Sequence, residues 1–303
     1  MSQVVVVGSV NADITVTVAR HPVPGETLLG GGGGTTPGGK GANQACAAAR
    51  LGADVVLVGA VGQDANATAA TELLAEAGVD LEHVERLDAP TGLAVVTVAD
   101  GGENTVLVVP GANGLVGREL VDKHCAPIQS ADLVLLQGEI PADGFARAIQ
   151  LARNRVVVNL APVIEVPQDA LLQADPLVAN EHEAGLICAQ FGLDTDGTPE
   201  QLALRLRGAG FASVVLTLGP QGSLVAAGET VTHIDTPSVA AVDTVGAGDA
   251  FTGALCGKLV QGASLIDACR FASRVAAFSV TRPGAQPSYP HAGDSLPRDT
   301  SNH

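Results

Sequence analysis

Two rhythms of apolar and polar residues alternate along this chain. Short apolar runs, Val4 to Val7, Val55 to Val58, Leu133 to Leu136, Val156 to Asn159, Leu177 to Ala179 and Val214 to Leu218, have the length of buried strands. Between them lie stretches of helical length, Gly41 to Leu51, Ala65 to Ala77, Ala142 to Ala152, Pro199 to Ala209, Ala247 to Val260 and Leu265 to Val280. Gly78 sits where a helix C′ residue is expected. Strands alternating with helices predict stacked βαβ units, an α/β fold whose sheet is mostly parallel. Ligands are then expected at the carboxyl ends of its strands.

Two segments depart from that series. Ile14 to Val18 alternates with period two and leads into a loop rich in Gly and Pro. Leu93 to Val98 and Thr105 to Val109 flank Asp100-Gly101-Gly102-Glu103-Asn104, a hairpin signal. Residues of about 14–36 and 91–110 are therefore expected to form a small β-sheet outside the main domain, placed as a lid. The main domain is expected over 1–290. After Pro287 the chain turns polar and loses periodicity, so Tyr289 onward, and 291–303 above all, is expected to be a frayed tail.

Composition narrows the picture. The chain of 303 residues is 46% hydrophobic but has no Trp, one Tyr and six Phe, so its core must be built from Val, Leu, Ile and Ala. A formal charge of −16 argues against nucleic acid or an anionic membrane surface as partner. An anionic substrate would need a local positive site, which a helix N-terminus provides. Five cysteines, odd in number and without Cys-x-x-Cys spacing, read as small buried hydrophobes in a reducing compartment. With no membrane span or leader pattern recognised, the expected location is the cytoplasm.

The stretch Asp243-Thr244-Val245-Gly246-Ala247-Gly248-Asp249 carries the strongest chemical signal. Its glycines let backbone approach a ligand, and the helix start behind them offers free N–H groups to an anion. Asp249 reads either as a general base beside that anion site or as a helix N-cap. Gly34 to Lys40 meets the spacing Gly-x-x-x-x-Gly-Lys, but Gly41 stands where a P-loop needs Ser or Thr, and no Gly-x-Gly-x-x-Gly fingerprint follows the first strand. Asn11 and Asp13, Lys40 and Asn43, and Glu139 fall at successive strand ends. Such a set suits a small polyhydroxylated ligand, although each residue alone is an ordinary turn former. Asn180 and Glu183 share a helix face and suit either hydrated magnesium or a capping box. Thr217 to Gly222 is a tight turn that either holds a nucleotide or only joins two strands.

Gly8-Ser9-Val10-Asn11-Ala12-Asp13, Gly38 to Ala45, Asp243 to Phe251 and Gly284-Ala285-Gln286-Pro287-Ser288 together resemble the signatures of the PfkB family of carbohydrate kinases, and within it the ribokinases. The resemblance runs from Val4 to Ser288. It implies a ribokinase-like three-layer α/β/α fold with a small β-sheet lid that pairs subunits into a homodimer. It implies ribose and ATP as substrates, with phosphorylation of the 5-hydroxyl. Asp249 would be the general base and Gly246, Ala247 and Gly248 the anion hole. Asn11, Asp13, Gly39, Lys40, Gly41, Ala42, Asn43 and Glu139 would hold the sugar. Asn180, Thr217, Leu218, Gly219, Pro220, Gln221, Gly222, Gly248, Asp249 and Ser273 would contact ATP. Glu183 would organise Mg2+ indirectly, and Asp243, Val245, Ser279, Arg282, Gly284 and Ser288 would hold K+. Ser273 departs from the His or Asn that ribokinases often carry against adenine.

Rival readings are a kinase for deoxyribose, fructose or adenosine, and an inactive sugar-binding regulator. A nucleoside favours aromatic stacking, for which this chain has little material. An intact Asp249 and glycine turn count against the regulator.

Overall fold

The computed structural model describes residues 3–101 and 103–298. Nine strands form the central sheet: β1 (Gln3–Val7), β4 (Asp54–Gly62), β5 (Val84–Leu87), β8 (Leu133–Gln137), β9 (Arg155–Asn159), β10 (Leu177–Asn180), β11 (Ser213–Thr217), β12 (Ser223–Ala227) and β13 (Thr230–Ile234). Their order is β13-β12-β11-β10-β9-β8-β1-β4-β5, parallel except for the β11-β12-β13 meander. Helices complete the crossovers: α1 (Lys40–Arg50), α2 (Ala65–Glu76), α3 (Arg118–Lys123), α4 (Cys125–Ser130), α5 (Ala142–Leu151), α6 (Gln168–Leu171), α7 (Glu181–Gln190), α8 (Pro199–Ala209), α9 (Ala247–Val260) and α10 (Leu265–Ser279).

The pleat sorts the core into two layers, because successive strand residues face opposite sides. Val4 and Val6 pack with α1, α2, α9 and α10, whereas Val5 and Val7 pack with α3 to α8. The three-layer α/β/α arrangement follows. With strands buried on both faces, apolar runs rather than alternation mark them in sequence.

A second sheet stands apart from the first: β3 (Gly32–Gly38), β2 (Asn11–Val18), β6 (Gly92–Ala99) and β7 (Asn104–Val109), in that order. The expected hairpin is β6–β7, pairing Val98 with Asn104. The Gly- and Pro-rich stretch read as a loop is instead largely strand β3, antiparallel to β2. An edge strand needs only a partner ladder, and glycine allows close approach: a Cβ on Gly33 would lie 2.3 Å from the Thr15 carbonyl oxygen.

The expected frayed tail is corrected as far as residue 298. Tyr289 is 2% exposed. Arg50 Nη1 donates to the Gln286 and Tyr289 carbonyls, and Arg274 donates to those of Leu296 and Pro297. Lost periodicity signalled irregular backbone here, not absence of packing. The rest of that expected tail, 299–303, lies outside the described residues.

Helix α9 crosses α1 so closely that a Cβ on Gly253 would lie 2.4 Å from the Gln44 carbonyl oxygen and 2.7 Å from Ala47 Cβ. Gly253→Val is expected to lower stability by about 1–3 kcal/mol, the usual cost of overpacking a tight core. A urea unfolding midpoint equal to that of the parent chain would show that the helices part freely and that the crossing is not fixed by this contact.

Candidate active site

The carboxyl ends of β1, β8, β9, β10 and β11 open toward the N-termini of α1 and α9. Gly39, at φ 86°, turns the chain into α1, and Ala42 N–H donates to the Ser9 carbonyl at 2.9 Å. Glu139 Oε2 caps that turn, accepting from Lys40 N–H at 2.9 Å and from the Ser9 hydroxyl at 2.5 Å. Ser9 Oγ in turn accepts from Gly41 N–H at 3.2 Å. A side chain at Gly41 would meet Ser9 N at 2.5 Å, so the helix start is seated directly on the end of β1.

Asp249 lies in the first turn of α9 and is 7% exposed. It is not the N-cap: Gly246 is, at φ 73°, with no side-chain cap bond. Asp249 Oδ2 accepts from Asn43 Nδ2 at 2.9 Å, and Oδ1 accepts from Gln44 Nε2 at 2.8 Å. The turn before it is held from behind, because the Tyr289 hydroxyl donates to the Gly246 carbonyl at 3.1 Å. A Cβ on Gly246 would fall 2.6 Å from that hydroxyl, while one on Gly248 meets nothing. Of the three expected anion-hole residues, Ala247 has its N–H engaged with the Thr244 carbonyl at 3.3 Å. Gly248 faces open space.

A cleft of about 150 Å³ runs from Asp249 along the helix start to Asn159, Asn180, Glu183 and Thr217, with Lys40 on its wall. Asn180 and Glu183 form the capping box of α7, with reciprocal bonds of 2.8 Å. Burial pushes the Glu183 carboxyl above its ordinary value. Asp249 most of all, then Glu139, Glu183 and Asp13, holds the Lys40 ammonium above its ordinary range.

On the opposite side, Asn11 is 2% exposed and its Oδ1 accepts from Asn113 Nδ2 at 2.7 Å. Asp13 packs against Gly38, where a Cβ would lie 2.0 Å from its carboxylate, and its Oδ1 is buried without a partner. Burial, then the charges of Glu139 and Asp249, raises the Asp13 pKa to about 7, against the partial relief of Lys40.

Residues Gly219–Gln221 form a 3-10 turn that joins β11 to β12 as antiparallel neighbours, with Leu218 N–H donating to the Gly222 carbonyl at 2.8 Å. Thr217 lines the cleft, whereas Gly219, Pro220 and Gln221 are exposed beside it. Ser273 is 2% exposed on α10 and stands outside the cleft lining. Asp243 staples two loops, Oδ1 accepting from Val245 N–H at 2.9 Å and Oδ2 from Gly284 N–H at 2.8 Å. The Ser279 and Ser288 hydroxyls donate to the Ala276 and Ala285 carbonyls.

The pattern described as "pfkB family carbohydrate kinase" matches residues 1–292. The chain belongs to the PfkB family of carbohydrate kinases. Ribokinase of Haemophilus influenzae is 35% identical over 295 residues, covering 96% of each chain. The ribokinase structure from Thermotoga maritima superposes with a TM-score of 0.90 at 32% identity, over 96% of this chain and 97% of that one. The Arabidopsis thaliana ribokinase complexed with ribose and ATP gives 0.88 at 35%, with the same coverage.

Several residues of the kinase's site escaped the sequence reading of strand ends. Gln44 and Gln286 lay inside quoted motifs without a role, and Gln137, Asn159, Asn113 and Tyr289 were not singled out. Gln137 and Asn159 end apolar strands, so a polar residue closing a buried run was the available signal.

Asp13 sets a pH dependence. Its folded pKa of about 7 lies above the ordinary aspartate value of 3.8, so the native state binds more protons than the unfolded chain between those limits. Stability of the ligand-free kinase should therefore fall as pH rises from about 4 to about 7. Urea midpoints across that window should decline less in Asp13→Asn; identical slopes in the two proteins would rule the assignment out.

Proposed function

We propose that the kinase transfers the γ-phosphoryl group of ATP to the 5-hydroxyl of D-ribose, with Asp249 as general base. The observation that carries this is the buried Asp249 carboxylate, held in the first turn of α9 beside the exposed Gly248. In that position one group can receive a proton while the adjacent helix start faces the transferring phosphoryl. The 5-oxygen attacks phosphorus as its proton passes to Asp249, and the bond from phosphorus to the ADP oxygen breaks. Phosphoryl transfer depends mainly on positioning and electrostatics, which the α9 N-terminus and Lys40 supply inside a chain of net charge −16.

Asn11, Asp13, Asn43 and Glu139, with Gly39, Lys40, Gly41 and Ala42 shaping the start of α1, are assigned to the sugar. The Asp13 carboxylate, with its buried unpartnered oxygen, suits a pair of sugar hydroxyls. Asn180 and the Thr217–Gly222 turn are assigned to ATP. The Arabidopsis relative bound to ribose and ATP supports both substrates.

Glu183, an oxygen donor on the cleft wall, suits Mg2+ held through water, which would neutralise phosphate charge. The loops that Asp243 staples are assigned to K+, which would be held by Asp243 and mainly by main-chain carbonyls of Val245, Ser279, Arg282, Gly284 and Ser288. Such an ion would order the anion loop without touching substrate. Edge strand β7 presents Val106, Leu107, Val108 and Val109, each at least half exposed, and we assign this surface to subunit pairing through the small sheet.

The reading is tested by ADP formation with ribose, 2-deoxyribose, fructose and adenosine, in K+ and in Na+. Ribose-dependent turnover that rises with K+ is expected; preference for another acceptor would overturn the sugar assignment. Asp249→Asn should stay folded, because Asn43 and Gln286 can flip together to receive the new amide. Its kcat is expected to fall by about 10²–10⁴, the contribution of a positioned base. Retention of parental kcat would remove Asp249 from the chemistry. Leu107→Glu, at a side chain 71% exposed, should shift the mass seen by light scattering from dimer to monomer. A dimer that persists would place the contact elsewhere.

A further inference from the structure

Asp249 is held by neutral amides, and on the Gln44 side their orientations are forced. At the far end, Asn159 Nδ2 donates to the Val178 backbone carbonyl at 3.1 Å, which can only accept. Asn159 Oδ1 must therefore point the other way, where it accepts from Gln44 Nε2 at 2.8 Å. Gln44 Oε1 accepts from Gln137 Nε2 at 2.7 Å. The two hydrogens on Gln44 Nε2 are thus divided between Asn159 Oδ1 and Asp249 Oδ1. Turning the Gln44 amide over would set its oxygen against two other oxygens and a nitrogen donor against a nitrogen donor. Four bonds exclude that state.

Gln44 and Gln137 are fully buried, so neither reaches a ligand in the cleft. We infer that Gln44 is a positioning residue for Asp249, aiming the carboxylate by a bond to Oδ1 and leaving Oδ2 on the side of Asn43 and the sugar. This rests on the reading of Asp249 as the base. It extends that reading to a group that touches neither substrate nor the reacting atoms. Asn43 holds the other oxygen, its Nδ2 donating to Asp249 while Gln286 Nε2 donates to its Oδ1 at 3.0 Å, but Gln286 Oε1 has no partner and this pair is not anchored to backbone. The two also differ in location: Asn43 borders the sugar side, whereas Gln44 lies behind the carboxylate and ties it to β9 and β10. A carboxylate held at both oxygens keeps a single orientation as its proton load changes, whereas one released from Gln44 keeps only the Asn43 bond and rotates about its last bond.

The test is Gln44→Met in the full chain, which keeps length and volume but removes the donor. The expected result is a kcat lowered by about 10-fold or more, with KM for ribose and for ATP within about twofold of the parent, a split that general loosening of the site does not produce. Parental kcat in a folded Gln44→Met protein would overturn the inference, and so would KM values that rise in step with the loss of kcat. Gln137→Met guards against failure to fold, because it frees Gln44 Oε1 without touching Asp249. A smaller kcat loss at constant KM is expected there, and parental kcat in that variant, if it alone folds, equally overturns the inference. Failure of the base reading is separable: Asp249→Asn would then keep turnover, whereas an inactive Asp249→Asn beside a fully active Gln44→Met sinks the Gln44 role alone.

Discussion

The approach of α9 to α1 at Gly253 is the constraint on which the site depends. Two helices normally sit 8–10 Å apart, separated by side chains. Here the Gly253 position admits no Cβ against the Gln44 carbonyl. The contact brings Asn43 and Gln44 within hydrogen-bond reach of Asp249, although they are 206 and 205 residues away along the chain. It also sets two helix N-termini side by side over the parallel strand ends. The α1 start is already capped by Glu139 and Ser9, so on the proposed reading the local anion site in this strongly acidic molecule would come from the α9 start, with exposed Gly248, and from Lys40 on the cleft wall. No cluster of basic side chains is needed, which is why a net charge of −16 and an anionic substrate are compatible.

Two carboxylates in this basin, buried Asp249 and half-buried Asp13, are handled differently. Asp249 receives a side-chain amide hydrogen on each oxygen. Asp13 has an oxygen with no partner, and burial raises its pKa to about 7. A buried polar atom left without a partner costs free energy until something supplies the missing bond. On the proposed reading a bound diol would supply the donors that Asp13 lacks, and part of the binding free energy would come from relieving that deficit. For Asp249 the same deficit would blur its orientation, and amides rather than charges remove it. An arginine in place of Gln44 would hold the carboxylate as firmly but would weaken it as a proton acceptor.

Legibility from sequence followed the physics of each element. Strands buried on both faces announce themselves as apolar runs, so Val4 to Val7 and Leu133 to Leu136 were placed within a residue of their observed bounds. Strand β3 was hidden because an edge strand of Gly and Pro carries no apolar signal; its only determinant is the ladder offered by β2. The packed segment after Pro287 was hidden for the same reason, since Arg50 and Arg274 hold it through its backbone carbonyls. Within the site, residues at strand ends were legible because turn chemistry is local. The amides behind Asp249 were not: a Gln inside an alanine-rich helix reads as solvated until the crossing helix is known to bury it. Asn180 and Glu183 illustrate the converse, where a capping box and a place on the cleft wall coexist in the same two residues.

The root of the small sheet decides how the residues assigned to the sugar would shift if that sheet swings on the main domain. Strand β2 starts at Asn11, four residues after β1 ends at Val7, and carries Asp13 in its third position. The chain returns from β7 to Asn113, whose side chain bonds the Val10 N–H, the Val10 carbonyl and Asn11 Oδ1. Asn113 thus mimics a paired strand, locking the exit of the sheet to its entrance. Any swing of the sheet must pivot about this clamp, where Asn11 moves least, and Asp13 is carried further because it lies two residues along the moving strand. Asp249, on α9 in the rigid body, does not follow. A sugar bridging Asp13 and Asp249 on the proposed reading would therefore stabilise the closed position through its own hydroxyls, whereas water, too small to span them, would not. On that reading, discrimination between sugar and water as phosphoryl acceptor would come from the span between two carboxylates carried on different sheets, without an additional gate.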